Sequence, residues 1–573
     1  MLSWGVSDFK SLVSARLKLD GRRLSVVSGT NSSGKSSLLQ SLLLLSQSSA
    51  GGGELALNGR LVRLGAPDDV VRNGQKSLEL AFEFSPVEGR SQGQTAPEMK
   101  VQFSLAPNGP RLTVVDVEIL DLADATVVFE ATVTRLNRAD VKALSDLLRD
   151  DSLTVLRIST ENQRRAANRM YLVLRGLMPV GIALIRSASW IEKTYNGYVE
   201  DSSFKSPNVQ ENPNRLRSFV TNELSLLVNK REFMASHPEI EPIEDQSPMY
   251  RTRWSLQEWR SMEANVRQEL VDLAIRQRSR NPWVVISTNG ARFDGRNPTR
   301  YQGLVENVVA SEHELALHLL ATVGEEIENT ADDIAYLGPL RDEPRVVHSA
   351  WDERMESLPV GIRGELTAEV LTRLKDHRVT YGDWDGKTRT ERLPEAVSRW
   401  CEYLGIGDHI EVIDHGKLGR GVRLRVEGVH RDLTTIGVGA SQLLPVLVAA
   451  LAIDENSILL IEQPELHLHP AVQSRLADFF LFARPDVRLI VETHSEYLVT
   501  RLRRRVAEGR TPSDGIAVIF VEQENGASTL RTLSIDQFGD MSEWPTGFFD
   551  AQDSDSLAIM KAVARTMQAG LDS

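Results

Sequence analysis

Gly29-Thr30-Asn31-Ser32-Ser33-Gly34-Lys35-Ser36 decides how the rest of this chain is read. Two glycines stand with four residues between them, and Lys-Ser follows. Glycines let a backbone wrap a phosphate chain, a lysine reaches its terminal phosphates, and a serine hydroxyl can ligate Mg²⁺. The flanks suit such a loop. Leu24 to Ser28 predicts a short buried strand, and Ser36 to Leu45 predicts a helix whose N-terminus points at the anion. Gly29, Asn31, Ser32, Ser33, Gly34, Lys35, Ser36 and Ser37 are therefore candidate nucleotide-binding residues, with Ser36 also a candidate metal ligand.

Outward from the loop the pattern changes twice. A Gly-rich link, Gly51 to Gly53, leads into strand-like segments. Leu78, Leu80, Phe82 and Phe84 alternate with other residues, as do Val101, Phe103 and Leu105, and 112–122 with 125–136 suggests a further antiparallel pair. Pro107-Asn108-Gly109-Pro110 marks a turn among them. From about Ala139 to Asp333 the periodicity is helical. Leu256, Trp259, Met262, Val266, Leu270 and Leu273 share one helix face over 255–280, with Ser255 as N-cap and Glu258 three residues on. A second helix is expected over 304–327. After Asp333 short apolar runs return: 335–340, 410–413, 422–426, 458–461, 487–491 and 516–521, of which 458–461 and 487–491 suit a central parallel sheet.

Bulk properties limit the alternatives. The 573 residues suffice for several cores, and 41% hydrophobic with 25% charged is ordinary for a folded soluble protein. A formal charge of −13 argues against nonspecific adhesion to nucleic acid. Cys401 is the single cysteine, which excludes an internal disulfide or a cysteine-built zinc site and suits a reducing cytoplasm. The N-terminus lacks the apolar region of a signal peptide. The longest apolar run, Leu443 to Ile453, is too short to span a bilayer.

The second half of the site lies some four hundred residues downstream. Ser457-Ile-Leu-Leu-Ile-Glu462-Gln463-Pro464-Glu465 has the form of a Walker B strand, in which an acid after an apolar run orients Mg²⁺ or its water. Leu466-His467-Leu468-His469-Pro470 occupies the place of a D-loop. Val491-Glu492-Thr493-His494-Ser495 follows the next strand and offers His494 as a γ-phosphate sensor. Gly437-Val438-Gly439-Ala440-Ser441-Gln442 opens a long apolar helix and corresponds to a signature loop, with Gly439, Ser441 and Gln442 able to meet a phosphate.

This ordered set resembles the ATP-binding-cassette superfamily in its SMC/RecF/OLD-like branch. It is more closely similar to bacterial AAA-type ATPases carrying EQPELHLHP, ETHSE and a C-terminal WPxGFFD, here Trp544 to Asp550. Asp8-Phe9-Lys10-Ser11, Tyr336-Leu-Gly-Pro-Leu-Arg341 and Gly361-Ile-Arg-Gly-Glu365 match as well. The resemblance implies an α/β P-loop NTPase head with an antiparallel β subdomain and an inserted helical domain. The expected division is 1–138 and 334–573 for the two halves of the head and 139–333 for the insertion. It implies ATP and Mg²⁺ as ligands, slow hydrolysis, and a homodimer or higher homo-oligomer closed around the nucleotides. A regulatory role in anti-phage defence beside a separate effector follows from the same likeness. DNA contact remains open, a RecF-like repair factor is the alternative, and a transporter engine is disfavoured.

Each candidate has a plainer reading. Glu462 is either a metal-orienting acid or a capped strand end. Gln463 stands where hydrolysing relatives commonly carry glutamate; it can orient water but accepts no proton usefully. Glu465 is the alternative general base, against no base at all. His494 is a sensor or a core histidine, and Ser441 and Gln442 act across a dimer or merely cap their helix. His467 and His469 lack the partners of a metal site and read as packing or dimer contacts. Arg501, Arg503, Arg504 and Arg505, with Arg276, Arg278 and Arg280, are solvated charges or a combined DNA-contacting surface. No TOPRIM-like acid cluster and no HNH-like His/Asn cluster stands out.

Overall fold

The computed structural model describes residues 1–50, 55–85, 98–134, 138–144, 148–149, 151–159, 169–185, 187–200, 216, 219–240, 253–280, 283–287, 311–342, 360–416, 419–545 and 558–563. The Gly51–Gly53 link, residues 304–310 and residues 546–550 of the C-terminal motif lie outside them.

One mixed sheet dominates the chain, and its two halves obey different rules. In the inner half five strands run parallel in the order Ile516–Glu524, Leu24–Gly29, Arg488–Glu492, Ile458–Glu462 and Ile334–Leu337. Parallel strands covered on both faces need near-continuous apolar runs. Ile458–Glu462 is buried at every position, and Leu24–Gly29 at every position but the last. Ile516–Glu524 turns back through Asn525-Gly526, both at positive φ, into Ala527–Leu533, as a two-residue hairpin loop requires.

The outer half is antiparallel. Ser3–Phe9 and Leu12–Lys18 pair, and Leu12–Lys18 joins Ala527–Leu533, linking the two halves. Beyond Ser3–Phe9 follow Leu78–Phe84, Met99–Asn108, Arg111–Asp121 and Val127–Thr132. These strands alternate buried and partly buried residues, the pattern of a sheet packed on one side. The wing then extends further than its periodicity predicts. Leu153–Ile158, Arg169–Arg175, Met178–Ile185 and Trp283–Ser287 add to its edge, so the segment expected to be helical contributes strands too.

Helices cover the sheet where the apolar stripes predict. The loop's helix, Lys35–Ala50, packs on Ser311–Asp333, and Ser46 Oγ donates to the Ala331 carbonyl at 2.9 Å. Val438–Ala452 is buried on nearly all sides, which accounts for the apolar run Leu443 to Ile453 as a core helix. Among the described residues no helix is long and apolar enough to cross a membrane.

A separate core forms from Ile191, Tyr195, Phe219, Trp254, Trp259, Leu270 and their neighbours. Ser255 caps as expected: its hydroxyl accepts from Glu258 N at 3.1 Å, and Glu258 returns the bond to Ser255 N at 2.9 Å. The single helix expected over 255–280 is instead two, Leu256–Ser261 and Ala264–Arg280, because Met262 is extended (ψ 146°).

Candidate functional site

The phosphate loop joins the strand Leu24–Gly29 to the helix Lys35–Ala50, and its glycines are sterically obligatory. A Cβ on Gly29 would stand 2.1 Å from the Val521 carbonyl. One on Gly34, at φ +100°, would stand 2.9 Å from the hydroxyls of both Ser11 and Ser528. Ser32 takes a left-handed turn at φ +61°. Lys35 Nζ donates to the carbonyls of Thr30 (2.7 Å) and Gly29 (3.2 Å), closing the loop on itself. Ser37 N donates to the Gly34 carbonyl at 3.0 Å. Ser33 Oγ is fully buried and has no partner, a donor left inside the loop. Asn31 lies on the exposed side of the turn.

The carboxyl ends of the parallel strands bring distant residues to this loop, the place where open α/β sheets bind ligands. Glu462 and Glu492 end adjacent strands and are register partners; Val27 of the loop's strand is the partner of Glu492 on its other side. Ser36 Oγ donates to Glu492 Oε2 at 3.1 Å and Oε1 at 3.3 Å. The Tyr336 hydroxyl donates to Glu462 Oε1 at 2.8 Å. Arg341 Nη1 donates to the backbone carbonyls of Glu462 (2.7 Å) and Gln463 (3.4 Å). Gln463 sits at φ +44°, a conformation side chains rarely adopt, and its own N–H is tied to the Glu492 carbonyl at 2.7 Å. Glu465 Oε1 accepts from the His494 N–H at 2.6 Å, while its Oε2 is buried without a partner.

Burial sets the electrostatics. It raises Glu492 to about 7, with the neighbouring Glu462 charge adding to the effect. It raises Glu462 against the opposing Tyr336 hydrogen bond, and Glu465 against the bond from His494. It lowers Lys35, which Glu492 partly offsets, and lowers His494, helped by the Lys35 charge, so that His494 is neutral at pH 7. Burial likewise lowers Arg341 to about 10, although Glu465, Tyr336 and Glu462 oppose it.

The donor set fits a nucleotide with its cation. A hydroxyl, two carboxylates and a lysine converge beside the loop's backbone, all hard-oxygen or anion-binding groups. Among the described residues no group of three or more His, Cys, Asp or Glu could hold a metal on its own. A cation here needs nucleotide oxygens and water to complete its shell, which is how Mg²⁺ commonly binds.

Other expected residues lie apart or turn inward. Ser441 Oγ donates to Val438 O at 2.7 Å within its own helix, and Gln442 lies on the same first turn. Gly439 packs against the turn at His467, where a Cβ would meet the His467 carbonyl at 2.9 Å. His469 Nδ1 caps the following helix by accepting from Ala471 N at 3.2 Å. Five of the seven arginines weighed as solvated charges or a DNA-contacting surface have partners within the chain. Arg501 and Arg505 both bind the fully buried Asp478, at 2.6 Å each. Arg504 pairs with Glu508, Arg503 lies over the Trp544 ring at 5.3 Å, and Arg278 reaches the Tyr195 hydroxyl at 3.3 Å.

Sequence reasoning gave no role to Glu492, Tyr336 or Arg341. A signal for Glu492 was present: Ile458–Glu462 and Arg488–Glu492 both end an apolar run in glutamate.

Residues 427–500 match the family described as "AAA domain, putative AbiEii toxin, Type IV TA system". Residues 512–558 match the family described as "Protein of unknown function (DUF3696)". Comparison with curated proteins gives no match. Among solved structures, the Smc head domain with an extended coiled coil bound to the C-terminal domain of ScpA, from Pyrococcus furiosus, is 12% identical. That alignment covers 98% of this chain and 99% of the other, at a TM-score of 0.32. The SMC head domain from Thermotoga maritima is 9% identical over 92% and 97%, at 0.31. A Pyrococcus yayanosii Smc head with a coiled coil and joint is 13% identical over 94% and 98%, at 0.32. The superpositions are loose. The parallel sheet and the phosphate loop give an α/β fold of P-loop type, and the AAA match falls on its C-terminal part, residues 427–500.

Proposed function

We propose that this chain binds ATP with Mg²⁺, hydrolyses it slowly, and uses it to join two copies of itself as a regulatory or sensor subunit. The phosphate loop and the acids at the carboxyl end of one parallel sheet carry this reading: Ser36 touches Glu492, and Glu462 stands beside it in register. ATP-Mg²⁺ supplies the phosphoanhydride bond and the cation that neutralises its charge. Lys35 and backbone amides of the Gly29–Ser36 loop bind the phosphates, and Ser36 with Glu462 orients the cation. Glu465 is the general base, since its buried Oε2 is free to take a proton. Gln463 orients water without accepting its proton, which keeps turnover slow. Neutral His494 meets the γ-phosphate.

Gly439, Ser441 and Gln442 open a helix that packs on the turn at His467, and in this reading they complete the site of a second copy. An isologous pair with two enclosed nucleotides closes both sites at once. The resemblance of the motifs supports anti-phage defence with a separate effector, and the match at 427–500 adds a family described as a putative toxin of a type IV TA system.

Sizing of the purified chain with and without ATP tests the core of this proposal. The unaltered chain is expected to dimerise only with ATP. Lys35→Ala loses both nucleotide binding and the dimer; Ser441→Arg keeps binding and loses the dimer. Unchanged ATP affinity in Lys35→Ala removes the site, and an intact ATP-dependent dimer in Ser441→Arg removes the shared one. Phage plating on cells carrying the chain and its neighbouring genes, compared with Lys35→Ala, tests the defence role.

A further inference from the structure

Parallel pairing sets Glu492 between the phosphate loop and Glu462. Its register partners are Val27 on one side and Glu462 on the other. Side chains of paired residues in a parallel sheet leave on the same face, about 4.8 Å apart. The two carboxylates therefore stand side by side, and both are buried, Glu462 to 6% and Glu492 to 2% exposure. Their hydrogen bonds divide them. Ser36, next to the loop lysine, gives its hydroxyl to Glu492 at 3.1 Å. Glu462 takes its hydrogen bond from Tyr336, on the opposite side, at 2.8 Å. Ser36 is the hydroxyl that the loop pattern assigns to the cation. The acid in contact with it is thus not the one that the Walker B pattern names.

Two further observations point to a positive group at this place. Adjacent buried carboxylates repel each other, and a divalent cation beside both relieves that repulsion. Glu465, three residues beyond Glu462, keeps one buried oxygen unpartnered. Lys35 is the nearby cation, and its ammonium is spent on the carbonyls of Gly29 and Thr30.

We propose that Ser36 and Glu492 together hold the Mg²⁺ of the nucleotide complex, with Glu462 as the adjoining acid. The strand that ends in the sensor motif then supplies a metal ligand as well as His494. This inference rests on the ATP-Mg²⁺ reading above and adds Glu492 to it.

The test is Mg²⁺ titration of a fluorescent, non-hydrolysable ATP analogue bound to the full chain. In the unaltered chain Mg²⁺ tightens analogue binding. Glu492→Gln keeps the shape and removes the charge. It is expected to bind the analogue normally without metal and to need about tenfold more Mg²⁺ for the half-maximal effect, the usual loss when a metal site is impaired. Glu492→Asp, which retains the charge, falls between the two and carries the test if Glu492→Gln does not fold. With Mn²⁺ in place of Mg²⁺, the electron paramagnetic resonance signal of the bound ion changes in Glu492→Gln. A Glu492→Gln chain with the unaltered Mg²⁺ midpoint and Mn²⁺ spectrum overturns the inference and leaves the ATP reading standing. An unaltered chain that binds no analogue overturns the ATP reading itself.

Discussion

The two halves of the large sheet treat acidic residues in opposite ways. In the parallel half, Glu462 and Glu492 close apolar strands and are buried at the mouth of the phosphate loop. In the antiparallel wing, Glu118 lies directly opposite Glu130 on the less buried face, with Asp116 and Glu79 near. Burial and these neighbouring acids raise Glu118, and Lys100 opposes them only in part. Both halves therefore bear like-charge repulsion. In the wing, water screens it and the sheet gains nothing chemical from it. At the strand ends water is excluded, and the same repulsion goes largely unscreened.

The contrast breaks most visibly at Asp478, which shows what a buried acid in the parallel half costs when its partners are fixed side chains. Burial alone would raise its carboxyl, but hydrogen bonds from Arg505, Arg501 and Tyr403 outweigh that and hold it below the usual range. Asp478→Ala strands two arginines and is expected to destabilise the chain by about 3–5 kcal/mol, read by denaturant or thermal unfolding. A loss within the surface range, under about 1 kcal/mol, would mean that this acid behaves like those of the wing.

Glu492 should reveal its environment through pH. Its folded value is raised from the ordinary 4.5 to about 7. A group raised in this way contributes stability that is intact below pH 4.5 and is lost as pH rises through 7. Without nucleotide, the unfolding temperature of the unaltered chain should fall between pH 5 and 8 by about 2 °C more than that of Glu492→Gln. Equal slopes would show that Glu492 is solvated like the acids of the wing.

The smallest effect is expected in the wing. Glu130→Lys turns a like-charge cross-strand pair into an opposite one and should stabilise by about 0.2–1 kcal/mol without altering ATP binding. A change in ATP affinity would show that the two halves are coupled more tightly than their chemistry suggests.

What could be read in the sequence was what is local. The phosphate loop, its flanking strand and helix, the acid after Ile458–Ile461 and the Ser255 cap are each written in a few consecutive residues. The outer wing was not. Met178–Ile185 pairs with Trp283–Ser287, about a hundred residues later, and neither run alternates cleanly enough to separate strand from buried helix. The contact between Ser36 and Glu492 spans 456 residues, so only the register of three strands brings it about. The arginine cluster could not be resolved for the same reason: the counter-charge of Arg501 and Arg505, Asp478, comes from a different helix.

The helix Ser311–Asp333 passes into the strand Ile334–Leu337 with no connecting residue. Four residues beyond that strand's end, Arg341 grips the carbonyls of Glu462 and Gln463. A rod twenty-three residues long is thereby tethered to the backbone at Glu462 and Gln463. The same helix also packs on Lys35–Ala50, so a displacement of it would reach the phosphate loop and the left-handed turn at Gln463 together.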